Sequence, residues 1–169
     1  MTSWLAEPLQ TEHLWLRPTR PGDEEWLIQL FSDPEVRKYV AGAMSEAEAC
    51  SLVKLTGELW GHFAILDRES KEAIGSLSFA PKRGPWEISY QLRRDYWGRG
   101  LAAEAIESAL QWFFSSTDQE EVGAVTQSAN KRSCRLLERL GAYLSEAFTY
   151  KGAPVLRYTF RRSTPRRPS

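Results

Sequence analysis

A mixed, mostly antiparallel α/β (α+β) sheet, with one parallel strand pair and flanking helices, is predicted by three features of this 169-residue chain. Strand-like runs at 60–66, 73–80 and 86–92 follow one another with short polar connections, which makes an antiparallel meander. Gly98, Arg99 and Gly100 then open into a long helical pattern that must cross over to a strand at 122–126, so the strands on either side of it run parallel. A last pair of strands, around 143–150 and 155–160, is joined by a turn at Lys151-Gly152.

Taken in order, Leu14, Leu16 and Arg17-Pro18 read as a short strand running into a turn. From Asp23, the apolar residues Trp26, Leu27, Leu30 and Phe31 recur at helical spacing until Asp33-Pro34 stops the pattern. Ser45, with Glu48 three residues on, has the form of a capping box for a second helix carrying Ala49, Leu52, Val53 and Leu55. In the long helix after the glycines, Ala102, Ala105, Ile106, Ala109, Trp112 and Phe113 share one face. Asn130 is placed to cap a further helix with apolar Leu136, Leu137 and Leu140, which ends at Gly141. From Arg161 the sequence turns to arginine, proline and serine without apolar periodicity. The expectation is a single domain over 1–162 and a disordered tail over 163–169.

Composition narrows the function. Basic and acidic residues number 22 each, so no net charge draws the chain to nucleic acid or a membrane surface. No apolar run reaches membrane-spanning length, and residues 1–10 lack the basic start and apolar middle of a signal peptide, which predicts a cytoplasmic protein. Cys50 and Cys134 are far apart in helical patterns and read as free thiols, while His13 and His62 have no spacing that suggests a metal.

The bend at Gly98-Arg99-Gly100 carries the chemistry. Two residues without side chains let a ligand approach the backbone, and the first amides of the following helix point outward with the positive end of the helix dipole behind them. Such a bend suits an anion, above all a pyrophosphate. Gly98, Gly100 and Ala103 also satisfy the dinucleotide spacing G-x-G-x-x-A. That motif needs an acid after the next strand to hold a ribose, whereas Glu120 and Glu121 stand before it. No lysine followed by serine or threonine comes after the glycines, which disfavours a nucleoside-triphosphate loop.

Five stretches are spread over residues 11 to about 160: Thr11-Glu12 with Leu14, Leu16, Arg17 and Pro18; Asp33-Pro34-Glu35-Val36; Glu87-Ile88-Ser89-Tyr90; Tyr96-Trp97-Gly98-Arg99-Gly100-Leu101-Ala102-Ala103-Glu104-Ala105; and Asn130-Lys131-Arg132-Ser133 running into Leu137-Glu138-Arg139-Leu140-Gly141. In this order they resemble the GNAT superfamily of acyl-CoA-dependent N-acyltransferases, and within it the RimJ/RimL type of ribosomal-protein N-terminal acetyltransferase. The chain departs from the family's pattern at Asp95, where glutamine or arginine is usual, at Ser89, where glycine is frequent, and at Ala142, where phenylalanine is common.

The resemblance implies acetyl-CoA as donor and a splay between the parallel strands that admits its pantetheine arm. Amides of Trp97, Gly98, Arg99, Gly100, Leu101 and Ala102 are then expected to cradle the pyrophosphate, with Arg99, Lys131 and Arg132 supplying positive charge. Backbone groups of Tyr90 and Leu92 are expected along the pantetheine arm, and Asn130 as a polar contact to it. Ser133 is expected to protonate the departing thiolate, with Tyr143 and Tyr150 as alternative donors. Cys134 falls on the apolar side of its helix, so direct transfer without an acyl-enzyme is expected. Glu87 matches the family's frequent acid and is the candidate base. An α-amine, with a pKa near 8, is about one-tenth neutral at pH 7, whereas a lysine at about 10.4 is neutral at roughly four parts in ten thousand.

The implied activity is transfer of an acetyl group from acetyl-CoA to a primary amine, first a protein or peptide N-terminus. A small amine or aminoglycoside-like antibiotic is the alternative acceptor, and a non-catalytic coenzyme A-binding sensor or structural module the alternative from another class. A homodimer stays open. Tyr39, Trp60, Trp86 and Phe148 are candidates to line the acceptor groove.

Overall fold

The computed structural model describes residues 4–40, 44–56, 59–82 and 84–163, so most of the expected tail lies outside the described residues. One eight-stranded sheet runs in the order β1-β2-β3-β4-β5-β6-β8-β7. Its strands are β1 (Leu9–Gln10), β2 (Leu14–Pro18), β3 (His62–Asp67), β4 (Ala73–Pro81), β5 (Trp86–Leu92), β6 (Glu121–Gln127), β7 (Tyr143–Tyr150) and β8 (Ala153–Arg161). The helices are α1 (Glu24–Ser32), α2 (Glu46–Thr56), α3 (Leu101–Ser116) and α4 (Lys131–Arg139). All neighbouring strands pair antiparallel except β5 and β6, which are parallel. The fold is therefore the mixed α/β arrangement expected, with β1 as an addition.

Local chemistry sets the element ends. The Ser45 amide donates to Glu48 Oε2 at 2.9 Å and the Glu48 amide to Ser45 Oγ at 3.2 Å, the reciprocal capping box at the start of α2. Ala49 and Val53 of that helix are buried, while the Leu55 side chain lies outside the described residues. Asp23, at the start of α1, accepts hydrogen bonds from the two terminal nitrogens of Arg17, Nη1 and Nη2, each at 2.8 Å, and from the Trp26 indole. The hairpin between β7 and β8 turns at Lys151 and Gly152, both with positive φ, as a two-residue loop requires.

One face of the sheet packs on α3 and α4. Leu16, Phe63, Ile65, Leu77 and Phe79 meet Ile106, Ala109 and Phe113 there, and Phe79 stacks on Phe113 with centroids 4.5 Å apart. Trp60 and Trp86, expected at an acceptor groove, instead join this cluster: Trp60 lies 5.1 Å from Trp112 and Trp86 lies 5.7 Å from Phe113. Their aromatic area is better buried than wet. At the far end, β8 continues through Arg161, and Arg162 donates to the carbonyls of Phe114, Thr117 and Gln119, tying down the end of α3. Arg161 is thus the last residue of β8.

His13 and Glu104 tie the N-terminal strands to the first turn of α3. Glu104 accepts from the Thr11 hydroxyl, the His13 amide and the His13 ring, the last at 2.9 Å. The bond to Glu104 raises the His13 imidazole above its ordinary 6.5. With Glu12, these residues bring three possible ligand atoms together, Glu12 and His13 being exposed and Glu104 half-buried.

Candidate active site

The sheet opens between β5 and β6. These strands share one rung, Glu87 opposite Gly123, and beyond it the ladder stops. The Arg93 amide donates to the Ile74 carbonyl, and Gln91 faces Ser76 in the same antiparallel ladder. By alternation, the backbone groups of Tyr90 and Leu92 turn the other way, into the gap. The Leu92 carbonyl already accepts the Trp97 indole at 2.9 Å, which leaves its amide and the backbone of Tyr90 facing the opening.

The glycine bend lies at the wide end of this gap. Gly98 (φ 78°) and Gly100 (φ 74°) both occupy the left-handed region, where a side chain would be strained. Among the described residues, the amides of Gly98 and Gly100 meet no backbone carbonyl. The first bond of α3 runs from the Glu104 amide to the Gly100 carbonyl, so the amides of Leu101, Ala102 and Ala103 precede it. The Trp97 amide differs from expectation because it donates to the Arg94 carbonyl at 3.1 Å, in a single turn of tight helix. The free run of donors therefore begins at Gly98, one residue later than the sequence suggested.

Cations flank the bend unequally. The Arg132 guanidinium stacks on the Trp97 ring at 5.3 Å, and a Cβ placed on Gly98 would lie 3.7 Å from its Nη2. With Arg135, Arg139 and the acid Glu138 it lines a groove along α4 in which cations outnumber the one carboxylate. Arg99 folds back instead, donating to the Asp95 carbonyl at 3.1 Å over the Tyr96 ring.

α4 enters beside the same gap. Asn130 caps it by accepting the Ser133 amide at 3.2 Å. The Ser133 hydroxyl is 2.8 Å from that of Tyr90, which leans from β5 toward the first turn of α4. Burial raises the Tyr90 phenol above its ordinary value, more than the bond to Ser133 lowers it. Cys134 is buried on the apolar side, as its periodicity predicts, close to Tyr158, whose hydroxyl donates to Glu138 at 2.8 Å. Tyr143 and Tyr150 lie on the outermost strand, with β8 and β6 between them and the opening, which takes them away from Ser133.

The opposite face of the opening holds a side chain that no motif announced. Glu87 is buried, not a surface acid at a strand edge, and its Oε2 accepts Arg157 Nη2 at 2.8 Å. Arg157 reaches it from β8 by passing over β6. A Cβ on Gly123 would stand 2.6 Å from Arg157 Nη1, so a side chain there would push the guanidinium aside from its present course. On this face, Val125 and Tyr150 are 39% and 43% exposed, with Phe148 beside them on the strand register. Of the four aromatics expected to line an acceptor groove, Phe148 is placed on this floor. Tyr39 lies after α1, its ring beneath the Lys38 ammonium.

A sheet parted at one parallel pair, with unpaired helix amides at the wide end and a buried carboxylate at the apex, is built to take a long phosphate-bearing ligand into the sheet. Comparison with known proteins gives this architecture its family. The chain belongs to the GNAT acetyltransferases, since the acetyltransferase (GNAT) domain profile matches residues 13–143. The uncharacterized N-acetyltransferase p20 of Bacillus licheniformis is 32% identical over 144 residues, covering 79% of this chain and 81% of that protein. The uncharacterized N-acetyltransferase YoaA of Bacillus subtilis is 31% identical over 168 residues, covering 93% and 90%. A GNAT-family acetyltransferase structure from Bacillus anthracis superposes with a TM-score of 0.82 at 21% identity, covering 91% of this chain and 98% of that one. Two further matches have acceptors in their names. The [ribosomal protein uS5]-alanine N-acetyltransferase of Escherichia coli is 31% identical over 84 residues, 47% of this chain and 43% of that protein. Spermidine N-acetyltransferase from Vibrio cholerae, a complex with CoA and spermine, shares the fold with a TM-score of 0.75 at 18% identity, covering 89% and 96%.

The chain is thus an acetyl-transferring enzyme that uses acetyl-CoA and requires an amine acceptor. No helix among the described residues is long and apolar enough to cross a membrane.

Proposed function

We propose that this enzyme acetylates the N-terminal α-amine of a protein or peptide, in the manner of the RimJ/RimL branch, within the cytoplasm. The observation that carries this reading is the single rung between Glu87 and Gly123: it sets a buried carboxylate at the apex of the opening, above an open and partly apolar floor. An extended peptide end suits such a floor. The match to the uS5-alanine enzyme supports the same reading.

The free amides from Gly98 to Ala103 hold the coenzyme's pyrophosphate, with Arg132 supplying a matching cation. Bound acetyl-CoA supplies a thioester carbonyl, activated toward an amine. Asn130 and the backbone of Tyr90 and Leu92 orient the pantetheine arm, and an amide in the gap faces the carbonyl oxygen as charge grows there. Glu87 takes the proton from the acceptor nitrogen. The Tyr90 phenol, kept protonated by its burial, shares a hydrogen bond with Ser133 Oγ in which either hydroxyl can donate. With the tyrosine as donor, the serine proton is left for the departing sulfur and the tyrosine stands ready to restore it.

A small polyamine is the second reading. Glu87 and Glu146, on either side of Arg157, leave the floor with a net negative charge, and the spermidine enzyme has the same fold. Thiol release from acetyl-CoA, followed with a panel of α-amine peptides beginning with alanine, spermidine and an aminoglycoside, tests both. Preferred turnover of the peptides supports the first reading and of spermidine the second, while coenzyme binding without turnover of any amine identifies a non-catalytic module.

A further inference from the structure

Arg157 is held between two carboxylates. Its Nη2 donates to Glu87 at 2.8 Å and its Nε lies 3.5 Å from Glu146 Oε2. The side chains of Glu87 and Arg157 are 9% and 18% exposed, whereas that of Glu146 is 59% exposed. Nη1 is buried over Gly123 without a hydrogen-bond partner among the described residues, so the guanidinium is not fully satisfied where it rests. The clasp also falls on the one rung that, among the described residues, joins β5 to β6, at the apex of the opening.

We infer that Arg157 is a positioning residue for Glu87 that yields it to the acceptor's ammonium group by moving onto Glu146. The inference rests on Glu87 being the base. Before the acceptor arrives, a buried carboxylate requires a matching charge, and Arg157 provides it. Most of the acceptor amine is protonated at neutral pH, so it enters as a second cation competing for the same oxygens. Two cations cannot share one carboxylate in a poorly hydrated site without repulsion, unless the first has another partner within reach. Glu146 is that partner, lying on the wet side of the guanidinium. The bare Cα of Gly123 lets the guanidinium lie close over β6, within reach of both carboxylates. The exchange breaks no covalent bond and conserves charge: Arg157 passes from one carboxylate to another as the ammonium replaces it. The site therefore selects acceptors that carry a cation at the reacting nitrogen.

The test is steady-state kinetics on the full chain with alanine-terminated peptides and spermidine, using Glu146→Gln, Arg157→Lys, Arg157→Ala and Glu87→Gln. Glu146→Gln is expected to raise the amine KM about tenfold and leave the acetyl-CoA KM unchanged. Arg157→Lys should retain most of the turnover that Arg157→Ala loses, and thermal denaturation of each variant separates loss of fold from loss of exchange. Glu87→Gln that remains fully active overturns the base reading and this inference with it, as does a wild-type enzyme that acetylates none of these amines. An inactive Glu87→Gln alongside a Glu146→Gln with unchanged amine KM leaves the base in place and overturns the exchange alone.

Discussion

The hydroxyls of Tyr90 and Ser133 meet at 2.8 Å across the mouth of the parted sheet. The two residues are 43 apart in sequence, one on strand β5 and one in the first turn of α4, and the contact joins the two sides of the opening.

If this pair delivers the proton to the departing sulfur, Ser133→Ala lowers kcat by about a hundredfold, in the usual range for a lost general acid. Tyr90→Phe keeps the serine but removes its orienting partner, and lowers kcat less. Neither changes the acetyl-CoA KM greatly. Intact turnover in Ser133→Ala removes the serine from the mechanism.

Glu87→Gln is expected to lower turnover by about a hundredfold or more, because the amide cannot take the acceptor's proton. A pH–rate profile of wild type and variant checks this. Equal rates at every pH exclude Glu87 as the base.

Asn130→Ala removes the oxygen that receives the Ser133 amide at 3.2 Å, and is expected to cost about 1 kcal/mol in urea denaturation. Because the cap also sets the start of α4 beside the opening, coenzyme affinity should fall with it. Unchanged stability would show that the cap bond contributes nothing.

Asp23 gives the fold an acid-sensitive anchor. Burial pushes its carboxyl up, but bonds from Arg17, Trp26 and Arg20 outweigh that, and its pKa lies below the ordinary 3.8. Its contribution is therefore complete above pH 3.8 and is lost as pH falls through the lower folded value. Arg17→Met leaves the buried charge uncompensated and is expected to cost about 3–5 kcal/mol near neutral pH. Denaturation midpoints at pH 3 and pH 7 check both points, and a variant as stable as wild type contradicts them.

What could be read from the sequence was local. The Ser45–Glu48 box, the bounds of β5, the Asn130 cap and the two left-handed glycines each follow from residue type and spacing, because the forces act within a turn or along one strand. The two-residue β1 was not legible, since Leu9 and Gln10 are too short a run to show a period. Arg157 was missed for another reason. In the run from Val155 to Phe160 it looks like one solvated charge, and only the sheet order places it across Gly123 from a glutamate 70 residues earlier. Trp60 and Trp86 are candidates for the groove on sequence alone because an aromatic residue carries no sign of which face it will take. Nothing in composition marks the tight turn over Arg94–Tyr96, which is what occupies the Trp97 amide.

The most direct test titrates coenzyme A, and separately pantetheine, into ¹⁵N-labelled protein and follows the amide resonances of Gly98, Gly100, Leu101 and Ala102. The account predicts large shifts of these four with coenzyme A and little change with pantetheine, which lacks the pyrophosphate. Saturation by coenzyme A with these amides unmoved would contradict it.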